Sequence, residues 1–493
     1  MFKTLIQKSN FQQAVKIIFL FDIFVRGIQF LRELVFSTFY GFSKITDAFN
    51  FTVNILGTPI NLIADALLVG IIPSLNTKST MQEKTNYVFS LMITFFCIIT
   101  IIFLGFFSFY FSIMEKIAPG FDSGSISLTL KFCLLYAFIG LFLVLNRIID
   151  NFFRSEKIFG LANFSNLVSS IISILILVLL FKQTPLAITI GMLIGSVVGF
   201  VILFSKLPIK RMTSFDKDAI ALIKKSVPLL ISGGLGVINT FIDKSFSTLF
   251  EPGILTIISY STMIVTLISS LFTNAIGGAS YSFIASEVRN NQLEQVQSRV
   301  NNINFIFMFV FGSICILFIL VGEFFLKLLF YRGNITLTDI DLLFQLTLIF
   351  IPMTMFTSIG SIVLQTFYSF DNLKVTTIIN SLCVLLHIAI NIIFIDHFGF
   401  YTLASSTLIA SMTAAILNAY LLKRNYGINS MNYKILLTAA LITLFCLSAL
   451  FLQNIWLQLL ITVFLTLIFI LLFKTEVKGI KGFILANVLR KKA

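Results

Sequence analysis

Arg26, Arg32 and Glu33 lie inside residues 19–40, FLFDIFVRGIQFLRELVFSTFY, an apolar run long enough to cross a bilayer. Charge at that depth costs roughly 2.5–3.5 kcal/mol per residue on insertion scales and persists where it faces water, a partner or a ligand. The chemistry open to two such guanidiniums is anion binding. Arg26 and Arg32 are offset by about 9 Å along a helix, at 1.5 Å per residue. A guanidinium grips phosphate in a bidentate fork, and a pyrophosphate has two phosphoryl groups for two arginines to share. Glu33 is the candidate counter-ion of Arg32 when no ligand is bound. The competing reading is snorkelling to the headgroups, which suits the mid-run Arg26 badly.

Other polar residues sit at comparable depth. Asp47 opens a second apolar stretch, where a carboxylate caps free helix amides. Asp65 lies in INLIADALLVG, a run that should bury it. It is either a partner for an arginine of the first span, a proton carrier, or a structural charge. Asp243 and Lys244 are adjacent, so they cannot pair face to face on one helix. Lys244 is a candidate cation for the same cavity as the arginines. Asp243, with His387, Asn391 and Thr407, forms a candidate cation site. His387 and Asn391 stand at i,i+4 on one helix face, and oxygen ligands of this kind suit sodium. The alternative for Asn and Thr is hydrogen bonding between helices. No firm metal site is expected. The five cysteines are scattered without a CxxC, and no Walker loop or GxSxG occurs. The chain is not expected to be an enzyme.

The elements that position these residues follow from composition. The 493-residue chain is 58% hydrophobic and 11% charged, whereas soluble domains carry about 25% charged residues. Its mean hydropathy is +1.01. Long apolar runs without alternation make it an all-α integral membrane protein. Polar and Pro/Gly breaks divide it into about fourteen spans of ~20 residues or more. They fall near 14–40, 47–75, 86–113, 126–150, 158–181, 185–205, 219–249, 254–285, 302–330, 340–369, 375–395, 400–422, 434–452 and 455–473. Lysines and arginines crowd alternate loops, among them Lys78 and Lys84, Arg154 and Lys157, Lys206 to Lys217, and the tail from Lys474 to Lys492. The positive-inside rule then places both termini in the cytoplasm. The formal charge of +14 is therefore topogenic, and no nucleic-acid partner is expected. The expected domains are an N-lobe at 1–205 (helices 1–6) and a basic cytoplasmic linker at 206–218. A C-lobe at 219–425 (helices 7–12) follows, then helices 13–14 and a basic tail at 426–493. The two six-helix lobes read as parallel repeats around a central cavity.

Four local patterns resemble the MurJ (MviN) family of lipid II flippases, in the multidrug/oligosaccharidyl-lipid/polysaccharide exporter superfamily. They are Arg26…Arg32-Glu33 with Tyr40-Gly41 and Thr46-Asp47-Ala48-Phe49; Ala118-Pro119-Gly120-Phe121; FYRGNITLTD from Phe330 to Asp339; and Phe367-Tyr368-Ser369 with Asp371. The resemblance covers roughly residues 20–425 and implies two lobes around a cavity that opens alternately to either side. It implies an undecaprenyl-pyrophosphate-linked saccharide as cargo, Arg26, Arg32 and Glu33 in the cavity, and Asp47 in the helix 2 position. It implies a multi-pass monomer among the lipids of a bacterial cytoplasmic membrane. No cofactor is implied, and sodium or the membrane potential is the candidate driving force. Two positions depart from the family pattern. Thr58-Pro59-Ile60-Asn61 carries no basic residue, and Tyr260-Ser261-Thr262-Met263 stands where helix 8 normally has an arginine. A Wzx-like flippase for O-antigen, capsule or exopolysaccharide units is the sister reading. A cation-coupled small-molecule exporter and a membrane-embedded glycan enzyme are the readings from other classes.

Overall fold

The computed structural model describes residues 11–208, 212–370 and 372–450, with Val463. Among them every regular element is a helix. The helices are α1 (Phe11–Tyr40), α2 (Lys44–Thr52) and α3 (Thr58–Asn76), α4 (Met81–Ser108), α5 (Tyr110–Ile117), α6 (Ser123–Ser155), α7 (Gly160–Leu180), α8 (Ala187–Ser205) and α9 (Asp218–Ser247). They continue as α10 (Ile254–Arg289), α11 (Leu293–Phe330), α12 (Leu337–Phe350), α13 (Met353–Ser369), α14 (Leu373–Phe398), α15 (Tyr401–Tyr426) and α16 (Tyr433–Ala449). Eight helical segments among the described residues are long and apolar enough to cross a membrane. The expected span at 455–473, the tail lysines and Asp371 lie outside the described residues.

Three expected spans are interrupted. α2 passes into α3 through a π-turn, Val53–Gly57. Phe109 separates α4 from α5, and Ile351-Pro352 separates α12 from α13, where proline withholds an amide from the helix ladder. Helix starts follow local side chains. Thr80 accepts from Glu83 N at 3.2 Å, Asp122 from Ser125 N at 2.9 Å, and Asn432 from Ile435 N at 3.0 Å. Each satisfies an amide that the first helical turn leaves free.

The helices form two compact units. The first contains α1–α9 up to Thr256, together with Arg332–Ile335; the second contains Ile257–Tyr331 and the chain from Thr336 onward. α9, expected to open the C-lobe, packs in the first unit against α3 and α4. Within that unit α7 and α8 make the closest helix pair. A Cβ at Gly191 would stand 2.4 Å from Ser173 O, and one at Gly195 2.4 Å from Ser169 O. Small residues at this spacing let two helix backbones touch. Asp65 is exposed on α3 rather than buried, because the helix turns its neighbour Ala64 into the core instead.

Candidate functional site

The first unit carries three polar clusters, one at each end and one between. At the end bearing Gly41, the Asp47 carboxylate accepts from Gly253 N at 2.6 Å, Thr256 N at 2.8 Å and Thr256 Oγ1 at 2.6 Å. Those amides open α10, so Asp47 caps a helix more than 200 residues away rather than its own. It is 4% exposed, and Lys244 on α9, 5% exposed, lies within electrostatic reach of it. A negative side chain at a helix N-terminus also gains from the helix dipole.

Neighbouring segments close on the same place. Asn334 donates its backbone amide to Thr38 O at 3.2 Å and its Nδ2 to Phe39 O at 2.7 Å, capping the last carbonyls of α1. Gly333, at φ +60°, lies so close to Thr38 that a Cβ would stand 2.1 Å from its carbonyl oxygen. A Cβ at Gly120 would stand 1.8 Å from Thr248 O. Tyr40 Oη donates to Phe181 O at 2.6 Å. Lys44 Nζ meets Asp122 Oδ2 at 2.7 Å, and this hydrogen bond, helped by Ser125, holds the Asp122 carboxyl well below the usual carboxylate range. A cavity of about 250 Å³ lies here, lined among others by Lys44, Asp47, Gly120, Ser125 and Thr248. Three of the four sequence patterns thus meet at one end of one unit.

Between the ends lies the pair foreseen in α1. Arg32 Nη2 donates to Glu33 Oε1 at 2.8 Å, with the side chains 14% and 13% exposed. Arg32 Nε is buried and has no hydrogen-bond acceptor among the described residues. The charges of both residues reach Tyr136 on α6, which packs against Gly57 of the π-turn. Arg26 is half-buried two turns earlier on α1. Asp65 makes no ion pair among the described residues.

At the opposite end Lys78 Nζ bridges Asp216 at 2.7 Å and Asp218 at 2.6 Å. Burial pulls the Lys78 ammonium down, but the hydrogen bonds and charges of the two aspartates outweigh it and leave it above the ordinary lysine range. Lys84 pairs with Glu156 at 2.5 Å, and Arg154 with Asp150 at 2.9 Å. These pairs tie the 212–218 segment and the ends of α3, α4 and α6 together.

In the second unit, Asn391 Nδ2 lies 3.2 Å from His387 Nε2, Ser406 Oγ donates to Asn391 Oδ1 at 2.6 Å, and Thr407 Oγ1 stands 3.4 Å from His387 Nε2. Thr407 also donates to Leu403 O at 2.8 Å. The cluster joins α14 to α15, and Asp243 belongs to the other unit. No group of three or more His, Cys, Asp or Glu able to hold a metal occurs among the described residues. Sequence reasoning missed Asn334, Tyr136 and the π-turn. It also missed the α8 glycines, although their GMLIGSVVG spacing is visible.

Membrane-length helices, a half-buried ion pair on α1 and loops that pin helix ends define a multi-pass membrane transporter. A solved structure titled "Lipid II flippase MurJ, inward closed conformation" has the same fold, with a TM-score of 0.75 at 20% identity over 93% of this chain and 100% of that one. The chain belongs to the MurJ family, whose model, described as "Lipid II flippase MurJ", matches residues 36–471. That is a family of transporters rather than enzymes. A relative from Borreliella burgdorferi described as "Probable lipid II flippase MurJ" is 23% identical over 440 residues, 87% of each chain. One from Bdellovibrio bacteriovorus with the same description is 21% identical over 240 residues, and there the chain spans about half the relative's length: 48% of this chain and 46% of that one.

Proposed function

We propose that this protein flips lipid II, an undecaprenyl-pyrophosphate-linked saccharide, from the inner to the outer leaflet of a bacterial cytoplasmic membrane by alternating access. It works as a monomer with fourteen spans in two repeated lobes and a C-terminal pair, with both termini in the cytoplasm. Arg26 and Arg32 take the pyrophosphate, and Glu33 holds Arg32 between cargoes. Asp47, with Lys244 beside it, latches the outer end while cargo enters from the inner one. Sodium at Asp243 or at the His387–Asn391–Thr407 cluster, or the membrane potential, drives the cycle.

The observation that carries this reading is the Arg32–Glu33 pair, a half-buried guanidinium on the apolar helix α1 whose Nε has no acceptor among the described residues. Charge so placed persists only with compensation, and an anionic cargo supplies what Glu33 alone does not. The test is complementation. Cells depleted of their own lipid II flippase should grow with this chain and lyse with Arg26→Ala/Arg32→Ala inserted at equal level. Failure of the unaltered chain favours the second reading, a flippase for O-antigen, capsule or exopolysaccharide units. The absence of a basic residue from Thr58-Pro59-Ile60-Asn61 and Tyr260-Ser261-Thr262-Met263 favours such a cargo.

A further inference from the structure

The second unit holds a cavity of about 720 Å³ between the start of α11 and the turn that joins α15 to α16. That is the size of a small-molecule site. Its α11 wall is one helix face, on which Glu294, Ser298, Asn301, Asn302 and Phe305 recur at helical spacing. The facing wall includes Tyr426 and the turn that follows it. α11 has 38 residues, roughly 57 Å at 1.5 Å per residue, against a hydrocarbon core of ~30 Å. Its polar beginning, LEQVQSRVNN, therefore stands at headgroup level, on the cytoplasmic side in the orientation proposed above.

Hydrogen bonds fix both walls. Gln297 Nε2 donates to Asn429 O at 2.8 Å, and Asn429 N donates back to Gln297 Oε1 at 2.5 Å. Asn304 Nδ2 donates to Ser430 O at 2.8 Å. Tyr426 Oη accepts from Asn372 Nδ2 at 3.0 Å, and its ring stacks on Phe370 with centroids 3.9 Å apart. A set of oxygens is left over. Asn301 Oδ1 on the wall, and Asn304 Oδ1 and Ser430 Oγ adjoining lining residues, are buried and meet no hydrogen-bond partner among the described residues. Unmet oxygens are costly in a dry site, so a ligand that donates hydrogen bonds gains there.

The charge of the wall narrows the ligand further. Among the described residues it carries one carboxylate, Glu294, and no lysine or arginine. A phosphate brings negative charge and more acceptors to oxygens that need donors. An ammonium has donors but no acceptor for the amide N–H groups of Asn301 and Asn302. A sugar hydroxyl donates and accepts at once, and the C–H face of a sugar ring suits the apolar surface of Phe305 and Tyr426. We propose that this cavity binds the saccharide of the lipid-linked cargo on the cytoplasmic side, separately from the site that takes the pyrophosphate. The proposal rests on the flippase reading above and names where the sugar is recognised.

The test measures binding to the full chain in lipid nanodiscs. The probes are undecaprenyl pyrophosphate, the same lipid carrying chitobiose, and free chitobiose. The glycosylated lipid should bind the parent about tenfold more tightly than the bare lipid, the scale of one or two net hydrogen bonds. Ser298 lines the cavity and is exposed, so Ser298→Phe should block it without disturbing the fixed walls. That variant should erase the margin while bare-lipid affinity and melting temperature hold. Asn301→Leu, which keeps the volume and removes the unmet oxygen, should erase most of it. Free chitobiose should bind the parent weakly and Ser298→Phe not at all. Arg32→Ala should weaken both lipids alike and keep the margin. If the margin survives Ser298→Phe, the cargo assignment is overturned, and loss of free chitobiose binding in that variant would then mark a site for soluble sugar. If the parent shows neither margin nor chitobiose binding, the site is overturned altogether. If Arg32→Ala leaves both lipids bound as before, the pyrophosphate reading fails and the saccharide site stands.

Discussion

Asp47 shows how one side chain can hold a helix end in place. Its two oxygens accept from Gly253 and Thr256, and it is almost fully buried. Asp47→Ala would leave both amides of α10 without an acceptor in a dry site, at a cost of roughly 2–4 kcal/mol. The expected readout is accessibility. Ser247 is 1% exposed beside the same cavity, so a Ser247→Cys thiol should be protected in the parent and labelled once Asp47 is alanine. Continued protection at unchanged melting temperature would sink the latch. Asp47→Asn should be milder, since an amide oxygen still accepts but lacks charge toward the helix dipole. At Arg32 the conservative change is the informative one. Arg32→Lys keeps charge and loses the planar fork, so transport should drop well below the parent. Arg32→Ala should drop it further without loss of inserted protein. Equal transport by Arg32→Lys and the parent would remove the bidentate grip from the mechanism.

Helices pack by rules that are partly legible in the amino-acid sequence alone. Span lengths, the Thr-x-x-Glu start at Thr80 and the Asp122 cap can be read directly, because each depends on residues within a few positions. The glycine row Gly191, Gly195, Gly199 is equally local. It seats α8 against α7 so closely that Gly195→Leu must push the backbones apart, at about 1–3 kcal/mol of overpacking. A lower melting temperature with normal membrane insertion is the expected result, and an unchanged one would mean that the seam yields. The cross-caps were not legible. Asp47 read as a cap for its own helix, since nothing local points to Gly253, 206 residues on. Asp65 read as buried because its neighbours are apolar, yet apolar neighbours do not say which helix face meets the core. Cys315 and Cys446 looked scattered, but both are fully buried where α11 packs against α16, close enough to interact electrostatically. A mild oxidant should therefore cross-link them, detected as a retained fragment after cleavage between the helices. No cross-link under conditions that oxidise exposed Cys97 would contradict that packing.

For the molecule as a whole, orientation follows from where charge accumulates. The end of the first unit that bears Lys78, Lys84, Arg154 and the 212–218 segment is rich in cations held by acidic partners. The other end holds few cations, chiefly Lys44 paired with Asp122. Basic residues are retained on the cytoplasmic side during insertion, and short loops obey this bias best. On the proposed orientation, with both termini in the cytoplasm, the Asp47 latch faces outward and the segment carrying Ser214 faces inward. Ser123 is exposed at the latch end and Ser214 is exposed at the basic end, so each accepts a probe without disturbing the core. In intact cells, a membrane-impermeant maleimide should label Ser123→Cys and spare Ser214→Cys until the membrane is permeabilised. The reverse pattern would invert the chain, put Asp47 at the entry side, and leave the Arg32–Glu33 pair loading cargo from the wrong leaflet.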